Sequence, residues 1–327
     1  MKKIIFSLFL LSKITTIYSQ DDMNKYDSLI KKAYKSYQTK DFISSANYYS
    51  EAFKSINWKA YPNDRYNAAC SWALANVADS SFKHLENLAK KQNYSNYGHI
   101  TTDSDLNSIH EDIRWELLIK KVLENKQFEE KDFNHELVSE LDKIHAEDQG
   151  GRQQLDVIEQ KFGRESKQMD SLWADINLKD SINLEKIIKI LDKNGWVGPE
   201  VIGQRGVQTV FLVIQHSPLP TQEKYLPIMR EACKNGKMAP SSLALLEDRV
   251  ANRNGKLQIY GSQISFDKNK QIYYLLPVED PDNIDKRRSE MNLGPISDYV
   301  SNWQIVWDVE EYKKNLPYYL ELQKGDK

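Results

Sequence analysis

Apolar residues recur every three or four positions over most of the chain, and that period predicts helices. Across 22–123 the pattern is wholly helical. Leu29, Ala33, Phe42, Ser45, Tyr49 and Ala52 fall at the spacing of a helix hairpin, with Lys40-Asp41-Phe42 at its turn. A second hairpin runs from Tyr66 to Ala75 and on through Asp79, Phe82, Leu85 and Leu88. Asp103 to His110 and Arg114-Trp115 follow it. The charged stretch 120–135 reads as a solvated helix end or linker, and it sets the domain boundary.

Beyond that boundary Leu137, Leu141 and Ile144 form one apolar stripe, and Asp148, Gln149 and Arg152 come at or just past the end of that helix. Met169, Leu172, Trp173 and Ile176 predict a second helix. Leu184, Ile187, Ile188 and Leu191 predict a third, stopped at Asn194-Gly195. The apolar run Val207–Ile214 leads into Gln215-His216, and Pro218 shortly after places His216 at or near a helix terminus. Tyr225, Leu226, Ile228 and Met229 belong to another helix, and Ser241 opens the next, which carries Glu247-Asp248-Arg249. Residues 256–264 and 271–276 read as two strands of a hairpin around a turn at Asp267–Lys270. The expected fold is therefore mostly α, with helical hairpins joined to an α-rich (α+β) C-terminal domain that has one small β-hairpin. The domains are 22–123 and 132–303, followed by a tail at 304–327.

Two resemblances attach to these patterns. The first is to tetratricopeptide repeats, in which small residues let paired helices approach and aromatics fill the groove between repeats. Here Ala33 takes the small-residue position, the usual late proline is absent, and the 103–115 stretch resembles the closing unit of such an array. That resemblance implies a groove for a protein or peptide partner, with Tyr49 and Phe53 facing it; a structural spacer is the plainer alternative.

The second resemblance covers about 136–300, to a bacterial domain family of unknown function. It rests on Asp148-Gln149 with Arg152, Asn194-Gly195-Trp196, Gln215-His216, Gln222 with Leu226-Pro227, Glu247-Asp248-Arg249, the run from Gln258 to Gln263, and Arg287-Arg288. Val197 stands where proline often follows the tryptophan, and Ser262 where threonine is usual. This resemblance implies domain identity and no activity.

Composition narrows the function classes. The 327 residues are 40% hydrophobic and 28% charged, with a formal net charge of −2, so nucleic acid is not the expected partner. Lys2-Lys3, the apolar run Ile4–Ser12 and the small Ser19 read as an export signal over 1–19, with cleavage near Ser19. No later segment is apolar enough to span a bilayer, so the mature protein is expected to be periplasmic or secreted. Cys70 and Cys233 are far apart in sequence. Cys70 sits among small helix-packing residues, which favours a buried thiol, and nothing shows clustered metal-ligand spacing or a cofactor motif.

The candidate chemistry lies in the polar residues set against apolar runs. His216 is a candidate acid/base residue, with Asp248 orienting it. Arg152 and Arg249 would hold charge, with Asp148, Gln149, Gln215, Gln258, Tyr260 and Gln263 as further ligand-binding candidates. The structural alternative is a histidine capping its own helix and an Arg249–Asp148 ion pair. The glycine in Tyr260-Gly261-Ser262-Gln263 marks a bulge or a close backbone approach. These residues admit two functions: a protein-interaction or ligand-binding module of the cell envelope, or a hydrolase-like enzyme with a polar pocket around His216 and Asp248.

Overall fold

The structure is a computed structural model that describes residues 19–325. The expected export signal falls outside those residues except for Ser19, which caps the first helix. The chain divides into two compact units, one reaching Lys131 and the other starting at Asp132.

The first unit is built from α1 (Gln20–Gln38), α2 (Phe42–Ser55), α3 (Pro62–Leu74), α4 (Ala78–Lys91), the short α5 (Tyr97–Thr102), a 3-10 turn (Ser104–Ile109) and α6 (Ile113–Glu129). Helices α1 and α2 meet because Lys40 turns the chain in a left-handed conformation and the Asp41 side chain caps the N-terminus of α2. Fully buried Ala33, Ala46 and Ala52 let the two helices come close, while Tyr26, Tyr49 and Phe53 fill the space beside them. Ala69, Ala73 and Ala89 do the same for α3 and α4, around Phe82, Leu85 and Leu88.

The second unit begins with α7 (His135–Arg152), α8 (Leu155–Phe162), α9 (Lys167–Asn194), α10 (Pro199–His216), α11 (Leu219–Lys234) and α12 (Pro240–Arg253). Leu141, Ile144, Ile187, Val210, Ile214, Met229 and Leu246 belong to their common core. Strands β1 (Ile264–Asp267) and β2 (Ile272–Leu275) follow, antiparallel, with Ile264 opposite Leu275 and Asp267 opposite Ile272. Then come α13 (Ile284–Glu290), α14 (Ile296–Val300) and α15 (Val309–Gly325). A smaller cluster of Leu275, Val278, Ile284, Ile296, Val300 and Tyr312 holds the hairpin to these last helices. The described chain is thus mostly α with one small two-stranded sheet, and none of its helices is long and apolar enough to cross a membrane.

Two local expectations need correction. The helices expected around Met169–Ile176 and Leu184–Leu191 are one continuous 28-residue helix, α9. Polar Asn177, Lys179 and Asp180 interrupt the apolar stripe without a glycine or proline to break the backbone. The first strand also starts later than expected. Residues 256–263 form a loop in which Gln258 makes only an isolated parallel bridge to Val278. The cause is Gly261, which has a φ of 68° and packs where a Cβ would lie 2.7 Å from the Ile284 Cδ1.

Candidate functional site

The site grows from three helix ends and one loop in the second unit. Asp148 and Arg152 stand one turn apart at the C-terminal end of α7. His216 is the last residue of α10, where the Ser217-Pro218 sequence ends the helix. Its Nδ1 lies 2.9 Å from Oδ1 of Asp148, a carboxylate that is almost wholly buried. A carboxylate on Nδ1 fixes the proton there and leaves Nε2 as the acceptor. Among the described residues Nε2 has no hydrogen-bond partner.

The Asp148 carboxylate is itself held from several sides. The Gln149 Nε2 donates to its Oδ2 at 2.6 Å, and the Arg152 guanidinium lies 3.5 Å from its Oδ1. Burial pushes the Asp148 carboxyl upward, but the hydrogen bond and charge of His216, the Gln149 amide and Arg152 outweigh it and keep it below the ordinary carboxylate range. Arg152 also grips Asp180 of α9 with both guanidinium nitrogens, at 2.9 and 2.7 Å.

Helix α12 supplies the remaining charge. Arg249 and Arg253 lie one turn apart and share a face. Arg249 donates to the Gln263 side-chain oxygen at 3.2 Å and to the Gln215 backbone carbonyl at 2.9 Å, and Arg253 donates to the Ser217 carbonyl at 2.9 Å. All three acceptors are neutral, and no carboxylate forms an ion pair with either arginine among the described residues. Burial, with Arg253 and Arg152 adding like charge, pulls the Arg249 guanidinium down to about 10, so it stays cationic at neutral pH.

These groups border one cleft of about 540 Å³. Arg152, Asp180, His216, Arg249, Arg253 and Gln263 line it, and Trp173 offers a ring that is 43% exposed. Three guanidiniums face the single, mostly buried carboxylate of Asp180 in the lining, so the opening favours an anion. Asp148, Asp180 and His216 present ligand atoms within 4.8 Å of one another, a spacing that could hold a metal ion. The Arg152 guanidinium already bonds Asp180 and lies against Asp148, so a divalent cation would have to displace a fixed positive charge.

Asp248 does not orient His216. It is completely buried and accepts from the backbone nitrogens of Ile259, Tyr260 and Ser262 at 2.6, 3.0 and 2.9 Å. It holds the Gly261 loop, and the carboxylate within reach of His216 is that of Asp148. Nor does Arg249 pair with Asp148, because Arg152 occupies that carboxylate.

Gln258 and Tyr260 also lie away from the cleft. Gln258 is buried and donates to the carbonyls of Gln263 and Leu276, while the Tyr260 hydroxyl donates to Glu247 at 3.3 Å. Gln149 bonds the Asp148 carboxylate, and buried Gln215 contributes its backbone carbonyl rather than its side chain. Arg287 and Arg288 are held by backbone carbonyls, including those of Ile259 and Tyr260, and brace the same loop.

Sequence reasoning missed Asp180, Trp173, Asn177, Asn252 and Arg253, all at the cleft wall. Trp173, Asn177 and Asp180 follow helical spacing, as do Arg249, Asn252 and Arg253, so two polar stripes were present to be found.

A family model described as "Family of unknown function (DUF6624)" matches residues 135–310, more than half of the chain. No curated protein and no solved structure matches it.

Proposed function

The chain belongs to DUF6624, a family of unknown function, and from its geometry we propose that the second unit is a ligand-binding module for a small anion carrying carboxylate or phosphate groups. The observation that carries this reading is the pair Arg249 and Arg253. Both line the cleft, and both bond only to neutral carbonyl oxygens. Arg249 is largely withdrawn from water, and carrying such a guanidinium without a counter-charge is costly; an anionic ligand relieves that cost, and exposed Arg253 adds a second donor at the rim. Trp173 supplies a surface for a flat or apolar part of the same ligand.

The test is a thermal-shift panel on the full chain, comparing small phosphates and carboxylates with neutral and cationic compounds. Occupancy by an anion raises the melting temperature as its concentration passes the dissociation constant. A panel in which anions shift the transition no more than neutral compounds overturns the reading.

One observation favours a second, hydrolytic reading: the Asp148–His216 pair, with Nε2 of His216 available at the cleft wall. In that reading His216 takes a proton from water as it attacks a bound ester of the anion, Asp148 steadies the resulting imidazolium, and the arginines hold the charge on the substrate. Release of nitrophenol from nitrophenyl phosphate or nitrophenyl succinate, abolished in His216→Ala, supports it. Turnover unchanged in that variant removes it.

The rest of the proposal concerns setting. The basic start and apolar run of 1–19 support export, with cleavage near Ser19 and a role in the cell envelope. The paired helices of 22–123, with alanines at their close contacts, support a tetratricopeptide-like interaction unit that precedes the domain of 132–303 in the chain; Tyr49 and Phe53, expected to face a partner, are buried in its core instead, so they offer no partner surface.

A further inference from the structure

The first unit holds a second cavity, of about 170 Å³, that the cleft function does not use. Tyr34 and Tyr37 of α1, Tyr49 of α2 and Tyr66 of α3 line it, together with Asp103 and Asp105 from the segment after α5. Four phenol rings and two carboxylates face one small space, and its lining includes no lysine or arginine. The carboxylates are fixed by hydroxyl donors rather than by cations. Tyr37 donates to Asp105 at 2.5 Å and Tyr66 donates to Asp103 at 3.0 Å. Only His99 approaches as a possible charge, 3.9 Å from Asp103. Its ring stacks on Tyr66 at 4.5 Å between centroids, extending the aromatic wall.

We infer that this cavity binds an organic ammonium group on a short stem. Aromatic faces attract such a cation through the ring quadrupole, and two carboxylates without a counter-ion add direct charge attraction. The volume suits one ammonium head with a few carbons. A metal ion is the other cation to weigh, since Cys70, Asp103 and Asp105 present ligand atoms within 4.8 Å. A metal held there would use those three side chains and leave the four phenol rings of the lining without a role. The Cys70 thiol donates to Asp103 at 3.6 Å. An organic cation uses the rings that a metal would ignore.

The experiment is calorimetric titration of the full chain with butylamine hydrochloride, choline chloride, the blocked peptide acetyl-Gly-Lys-Gly-amide and zinc chloride, with neutral 3,3-dimethylbutanol as the uncharged shape control. Saturable binding of one of the ammonium probes is expected, weaker by roughly tenfold in Asp103→Asn and in Asp105→Asn. Asparagine keeps the cap on the 3-10 turn, and unchanged melting curves confirm that the variants fold. Tyr37→Phe, which leaves both carboxylates and the ring, retains most of the affinity. Tighter binding of the peptide than of the free amines identifies the ammonium as a lysine side chain of a partner, and the reverse order identifies a small metabolite; both results support the site. Three results overturn it: no saturable ammonium binding, equal binding of the neutral alcohol, or zinc bound in preference to every ammonium probe.

Discussion

Removing the Asp248 carboxylate should unfasten the loop that presents Gln263 to Arg249. One oxygen of Asp248 accepts from Ile259 and Tyr260 at 2.6 and 3.0 Å, and the other accepts from Ser262 at 2.9 Å. A hydrogen bond to a charged group contributes roughly 1.5–3 kcal/mol, and a buried donor left without a partner costs about 1–3 kcal/mol. Three such bonds set against the cost of burying the carboxylate, which pushes its own pKa upward, leave a net loss of about 3–5 kcal/mol for Asp248→Ala. Asp248→Asn should lose less, about 2–3 kcal/mol, because one oxygen remains while the new amide meets the Ser262 N–H. Urea titration of both variants measures this as a shift in midpoint at unchanged slope. Losses below about 1 kcal/mol in both variants would refute the claim that this residue holds the loop rather than His216.

Two other outcomes follow from the same geometry. Gly261→Ala should cost about 2–4 kcal/mol, because alanine at a φ of 68° is strained and its Cβ would sit 2.7 Å from Ile284 and 3.0 Å from Ile296; an unchanged urea midpoint would contradict this. The depressed Asp148 carboxyl contributes stability that is complete above its unfolded pKa of about 3.9 and is lost as pH falls through its lower folded value. The stability gap between wild type and Asp148→Asn should therefore narrow as pH falls below about 5, and a gap that stays constant down to about pH 2 would count against a carboxylate stabilised at Asp148.

The helical architecture was legible because apolar spacing survives any tertiary arrangement: the Leu137–Leu141–Ile144 stripe and the Val207–Ile214 run lie where their periods place them, on α7 and α10. The site was legible in its parts but not in its pairing. Helical spacing says that Asp248 and Arg249 lie near apolar surface, yet it does not say which neighbouring element each one meets. Asp148 and Asp248 each stand near an arginine in sequence, and only packing decides that the first reaches His216 while the second reaches the backbone of the Gly261 loop. Asp180 was hidden for another reason. It lies on the polar stretch of α9 that reads as a break between two helices, so the stripe it shares with Trp173 and Asn177 shows only once α9 is continuous. The loop at 256–263 reads as a strand because its side chains alternate, and the left-handed Gly261 overrides that alternation.

The measurement closest to the central claim is calorimetric titration of the full chain with pyrophosphate and citrate, repeated on Arg249→Gln and Arg253→Gln at two salt concentrations. The account predicts saturable binding of at least one anion, weakened by roughly tenfold or more in each variant and weaker at higher salt, with both variants still folded. Absence of saturable binding to the native chain, or equal affinity after loss of either guanidinium, would contradict it.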